Sequence, residues 1–189
     1  MRRFIFNLVS VLFSAVKFGI MKLFHFHHFF YSGIQRFSPN TEVVIAEGGT
    51  IRLGRHVRAH RRLKLLAMDG GTLEIGSNTA LGNGVSVNCM ESIVIGEGVQ
   101  IGPDTKIYDH DHDYRVLGGI GAGKFVTAPV TIGDNSWIGC NVVILRGTTI
   151  GKNCIVGAGS VLKGAYPAGS VIVQKRQTTV TVYPTGTEK

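Results

Sequence analysis

A chain of 189 residues has the length of one domain with a short extra element. At 44% hydrophobic and 17% charged residues it is too apolar for a disordered chain, and its 26 glycines, about twice the usual share of roughly 7%, argue against an all-helical domain, where glycine is costly. The formal net charge of +8 favours anionic partners, but no motif that reads DNA or RNA accompanies it, so nucleic acid is not an expected partner.

Residues 1–31 differ from everything that follows. Phe4 to Leu23 is an apolar stretch long enough to cross a bilayer as a helix. Its polar residues are not scattered: Arg3, Asn7, Ser10, Ser14 and Lys17 recur at steps of four and three, on one narrow helical stripe. A spanning helix has to bury Lys17, and a signal peptide wants a cleaner core and a small-residue cleavage site. An interfacial helix, apolar face in lipid and basic residues at the headgroups, fits better. The same face can instead cover the protein body or another subunit, and both readings stay open. Interfacial aromatics account for His25, His27 and His28 among Phe24, Phe26, Phe29 and Phe30 more simply than metal binding does.

Residues 32–74 read as a degenerate first coil and a basic cap. Leu53-Gly54, Ala59-His60 and Leu65-Leu66 form an imperfect first turn of the repeat described below. Within it, RLGRHVRAHRRLK at 52–64 carries Arg52, Arg55, Arg58, Arg61, Arg62 and Lys64 with no acid. That is either a solvated cap or a surface for an anionic partner such as lipid headgroups or a pyrophosphate-linked substrate.

From residue 75 the chain has a period of six. Aliphatic leaders fall at Ile75, Leu81, Val87; Ile95, Ile101, Ile107; Ile132, Ile138, Ile144; and Ile150, Val156, Leu162. Four residues on, the side chain is usually small or β-branched, as at Thr79, Val99, Ser136, Cys154 and Ser160. Neither a helix nor a simple alternating strand has this period; a parallel β-helix does. The second position is glycine in two hexads of every three, and Asn88, Tyr108, Leu145 or Lys163 in the third. The unit is therefore a triangular coil of eighteen residues, with glycine at two corners, where turns can demand unusual dihedrals, and a distinct third corner. Both interruptions of the period, two residues before Ile95 and nineteen before Ile132, follow the third hexad. Stacking then brings Asn88 and Tyr108 to one edge on adjacent coils. A turn, a strand and a polar tail (174–189) complete the chain.

The long excursion, 108–129, begins YDHDHDY and continues through a flexible glycine-rich stretch. Loops of this length in a compact repeat are usually functional, and a histidine beside carboxylates is a natural general base. Zinc is the rival reading, but a catalytic zinc needs three converging ligands. Cys89, Cys140 and Cys154 match no zinc or C-x-x-C spacing and read as small hydrophobes of a reduced, cytoplasmic protein.

The segments APVTIGDNSWIGCNVVILRGTTIGKNCIVGAGSVL (128–162) and IGPDTKIYDHDH (101–112) resemble the hexapeptide-repeat acyltransferases, most closely the maltose, galactoside and polysaccharide O-acetyltransferase branch. The likeness covers residues 75–173. It implies an all-β fold, a left-handed parallel β-helix, against the usual right-handed crossover rule. It also implies a homotrimer with sites between subunits, acetyl-CoA as cosubstrate, a carbohydrate acceptor and no metal. Laid without gaps, the family's catalytic histidine falls on His112, with His110 as fallback, and its acceptor-side asparagine on Asn88. Tyr108 and Asp109, with Asn88, would bind substrate. Trp137, Cys140, Ala158, Lys163, Lys175 and Arg176 take the coenzyme A positions. The usual G-N-P-A-R segment near the C-terminus is replaced by QKRQTT, and the sugar-acetyltransferase cap by the Phe-rich helix. The zinc-binding carbonic anhydrases of the same fold have histidines where Cys140 and Arg146 stand here.

The expected function is acetyl-CoA-dependent O-acetylation of a sugar unit of a cell-surface polysaccharide or its precursor. The alternatives are N-acylation of an aminosugar nucleotide and a non-enzymatic scaffold. The expected location is cytoplasmic, with peripheral association at the inner membrane through residues 1–31 and 52–64.

Overall fold

The computed structural model describes residues 2–175, 177 and 179–181. One helix, α1 (Arg2–Phe24), precedes a three-faced stack of short parallel strands. The first face stacks seven strands: Phe29–Tyr31, Thr50–Leu53, Thr72–Ile75, Ser92–Ile95, Val130–Ile132, Thr149–Ile150 and Ala165–Tyr166. The second runs from Arg36–Phe37 to Val171–Ile172 and also has seven. The third has six, from Glu42–Ile45 to Val161–Leu162. Hydrogen-bonded neighbours on a face lie one coil apart in sequence, which is the topology of a β-solenoid.

The register stacks the hexad leaders on one another. Leu53, Ile75, Ile95, Ile132 and Ile150 form one column, and Leu65, Val87, Ile107, Ile144 and Leu162 another. All twelve leaders from Ile75 onward are no more than 4% exposed. Burying each contributes roughly 1.5–3 kcal/mol of gross stabilisation. The small residues four places on are buried beside them, and their hydroxyls satisfy corner carbonyls. Thr79 Oγ1 donates to the Gly96 carbonyl at 2.8 Å, and Ser136 Oγ to that of Gly151 at 3.0 Å.

The corner glycines owe their place to close approach rather than to their dihedrals. A Cβ on Gly133 would lie 2.5 Å from the Lys152 nitrogen of the next coil. The left-handed residue comes two positions later, at Asn135 (φ 57°), Asn141 (φ 53°) and Asn153 (φ 57°). Asparagine tolerates that conformation better than most side chains.

The winding begins earlier than the period of six indicates. Tyr31, Phe37 and Val43 align with Leu53, Ala59 and Leu65, making a coil before the one read from sequence. Aromatic residues hide it: Phe29 and Phe37 fill this end where later coils use aliphatics, and both are fully buried.

Helix α1 closes that end with its polar stripe inward. The first coil has no coil before it, so its backbone groups need partners. The Phe37 amide donates to Ser14 Oγ at 2.8 Å, and Lys17 Nζ donates to the Thr41 carbonyl at 2.8 Å. Lys22 Nζ donates to the carbonyls of Phe26 and Phe29. Burial pulls the Lys17 ammonium below its ordinary value, an effect opposed by Glu42. Phe18 wedges edge-on between Phe29 and Phe37, with ring centroids 5.1 and 4.9 Å away. The reading in which the broad apolar face covers the protein body is thereby overturned: Leu12, Val16 and Leu23 are 58%, 64% and 74% exposed.

Candidate active site

The third corner of the coil carries the chemistry. Asn88 and Tyr108 are register partners on adjacent coils. The same column continues through Leu145 to Lys163, because Ile107, Ile144 and Leu162 are aligned just before them. Asn88 Nδ2 donates to Ser86 Oγ at 3.0 Å, which orients the amide and leaves its oxygen and second N–H outward.

The excursion is a hairpin rather than an open loop. His110–His112 pairs antiparallel with Phe125–Thr127, and a single 3-10 turn at Gly119–Ala122 lies in the connection. Arg146 Nε meets Asp111 Oδ2 at 2.6 Å and ties the hairpin to the next coil. Phe125 stands between the two imidazoles, with centroids 5.5 Å from His110 and 4.6 Å from His112. Tyr108 meets the His110 ring edge-on at 6.0 Å.

Asp109 does not face the solvent as a substrate ligand, contrary to the sequence reading. Its carboxylate is wholly buried and accepts the amide N–H groups of Met90, Glu91 and Ser92 at 2.8–3.1 Å. Its Oδ1 also lies 3.0 Å from His110 Nδ1. Burial alone would push this acid up; the hydrogen bonds from His110, from the Glu91 and Met90 amides and from the Cys89 thiol outweigh it and hold the carboxyl below its ordinary value. Asp109 is thus an anchored anion that orients a histidine. Burial, and secondarily the Asp109 charge, push the Cys89 thiol far up, so it stays protonated.

The two histidines are therefore unequal. The His110 side chain is 16% exposed, with Nδ1 on a carboxylate, which leaves Nε2 as the lone-pair nitrogen. His112 is exposed on the hairpin, and its described partners are strand pairing and the Phe125 ring. Sequence reasoning missed the amide cluster around Asp109 and the Arg146–Asp111 pair. The one available signal was the basic residue at the third corner of the following coil.

The coenzyme positions lie elsewhere on the same chain. Trp137 stands on the second face between Gln100 and Ile155 and is 58% exposed. Cys140 and Ala158 occupy one corner of adjacent coils, following the aligned Ile138 and Val156; Cys140 is an exposed free thiol. The width of the third face separates them from Asn88 and His110, whereas Lys163 shares the histidine edge. Lys175 is exposed beyond the last strand, and Arg176 lies outside the described residues. Among the described residues no three His, Cys, Asp or Glu side chains are grouped to hold a metal ion.

A stacked hexapeptide solenoid with this corner defines a class. The family model for bacterial transferase hexapeptide (six repeats) matches residues 129–164. The chain is 30% identical over 144 residues to WbbJ of Escherichia coli, named for O-acetyl transfer in lipopolysaccharide biosynthesis; the match covers 68% of this chain and 69% of that protein. It is 34% identical over 124 residues to Rv3034c of Mycobacterium tuberculosis, named as an acetyltransferase, covering 65% of this chain and 41% of that one. The chain thus spans between 41% and 69% of these relatives' lengths. Among solved structures, it is similar to the hexapeptide-repeat acetyltransferase VCA0836 of Vibrio cholerae complexed with acetyl coenzyme A. That match has a TM-score of 0.50 and 27% identity, covering 82% of this chain and 69% of that one. The chain belongs to the hexapeptide-repeat transferase family, and its fold is that family's left-handed parallel β-helix.

Proposed function

We propose that the protein is an acetyl-CoA-dependent O-acetyltransferase acting on a sugar unit of a cell-surface polysaccharide or its precursor, with His110 as the general base. The observation that carries this reading is the Asp109–His110 pair beside Asn88, on the edge from which the hairpin departs. Relatives named as acetyltransferases support the transferred group, the acetyl coenzyme A complex of VCA0836 supports the donor, and the WbbJ name supports a carbohydrate hydroxyl as acceptor.

In this mechanism His110 donates Nδ1–H to Asp109 and takes the acceptor's hydroxyl proton on Nε2. The oxygen attacks the thioester carbonyl, and Asn88 donates its remaining amide N–H to the acceptor or the developing oxyanion. Asp109 stabilises the imidazolium. When the tetrahedral intermediate collapses, the C–S bond breaks and His110 returns the proton to the leaving thiolate, giving the acetyl ester and free coenzyme A. Trp137, Cys140 and Ala158 line the pantetheine, and Lys163 and Lys175 meet its phosphates. Trp137 and Cys140 are on other parts of the prism than His110, and in the homotrimer that the family resemblance implies neighbouring chains complete each site.

Acceptor-dependent release of coenzyme A across hydroxyl and amino sugars, with products read by mass spectrometry, tests the reading. An acetyl ester is expected. An amide product would replace it with N-acylation, and no saturable acetyl-CoA binding in calorimetry would leave a scaffold.

A further inference from the structure

Helix α1 is amphipathic with its sides reversed. Ser10 and Ser14 are buried and Lys17 is bound to the body, while Leu8, Leu12, Val16, Ile20 and Leu23 form an outward stripe, 49–74% exposed. The reason lies in the β-helix: its end offers backbone donors and acceptors, and these match the Ser14 hydroxyl and the Lys17 ammonium rather than leucines. Within the long apolar run Ile5–Phe24 it is therefore this aliphatic stripe that is left facing outward.

The surroundings of this stripe say what covers it. In the second coil, Arg55, Arg58, Arg61 and Arg62 are exposed and form no ion pair among the described residues. Arg61 lies 5.2 Å over the Phe6 ring, joining the basic coil to the helix. A groove of about 360 Å³ runs between the two, with Val11 and Ile34 as its apolar wall and His56 and Arg58 as its basic wall. The exposed aromatic Phe26 and the bound Lys22 stand at the helix's C-terminal end. An apolar strip bordered by cations and aromatics matches acyl chains bordered by phosphates. A second copy matches it poorly, because face-to-face helices bring the arginines of the two chains together. A spanning arrangement would require Ser14 and Lys17 to leave their partners on the first coil.

We propose that α1 and the 52–64 coil form one docking surface for an anionic bilayer, the helix lying in the plane of the interface. The test is flotation of the full chain with phosphatidylcholine vesicles, with and without phosphatidylglycerol. Wild type should float with the anionic vesicles and release at high salt. Leu12→Asp/Val16→Asp should float on the order of tenfold less with an unchanged melting curve, since neither side chain touches the core. Arg55→Glu/Arg62→Glu, which leaves the helix intact, should lose binding by a similar factor. Absence of wild-type flotation, or flotation of either variant equal to that of wild type, overturns the proposal. So does a fall in oligomeric state of the aspartate variant in light scattering without lipid, which would assign the stripe to a second copy.

Discussion

Asp109 holds His110 from beneath: the two side chains meet at 3.0 Å, and the carboxylate is itself fixed by three successive amides of the preceding coil. The imidazole is thereby oriented before any substrate arrives, with one nitrogen committed and the other available. A coil corner that would otherwise expose backbone N–H groups becomes the foundation of the candidate base.

The histidines should separate cleanly. His110→Ala is expected to lower kcat by about 10²–10⁴-fold, the usual contribution of a general base. His112→Ala should cost less than about tenfold, since it loses contact with Phe125 but no carboxylate partner. Thiol release from acetyl-CoA under saturating acceptor measures both; a larger loss in His112→Ala than in His110→Ala would return the role to His112.

Asp109→Asn should be both less stable and less active. The side-chain NH₂ cannot accept from the Met90, Glu91 and Ser92 amides, and losing charge-assisted bonds in a buried place costs roughly 2–4 kcal/mol. The pH dependence has a definite sign. A carboxyl held below its ordinary value of 3.8 contributes stability above that value and loses it as pH falls through the lower folded value. Wild type should therefore show a steeper acid-side decline below about pH 4 than the asparagine variant, read in urea midpoints against pH.

The steric account of the corners predicts a contrast between neighbours. Gly133→Ala drives a Cβ against the Lys152 and Gly151 backbone and should cost roughly 1–3 kcal/mol by overpacking. Asn135→Gly, at the left-handed position two residues later, should stay within about 1 kcal/mol of wild type. Chemical denaturation of both variants checks the pair.

The inward polar stripe makes Ser14→Val a destabilising change although it raises the hydrophobicity of the helix. The Phe37 amide loses its acceptor, a loss of roughly 1–3 kcal/mol. A Ser14→Val chain as stable as wild type would contradict this orientation of α1.

Trp137→Ala should raise the KM for acetyl-CoA by about tenfold with little change in kcat, as expected of a group that binds the coenzyme without touching the reacting carbonyl. Steady-state kinetics with varied acetyl-CoA separates the two constants.

The period of six determines, without coordinates, which side chains stack inward from Ile75 to Leu162, that Asn88 and Tyr108 meet at one edge, and that the 108–129 excursion leaves from that edge. Counting suffices because each coil repeats the last in register, so a residue's phase is its position in space. Phase cannot choose between His110 and His112. They share a D-H-D-H run, and only the fold brings the amides of Met90 to Ser92 over Asp109, a contact between residues on successive coils. Phase equally finds the stripe from Ser10 to Lys17 but not the direction it faces. That was decided by the open end of the β-helix, whose unpaired backbone groups needed hydrogen bonds more than its core needed another apolar face.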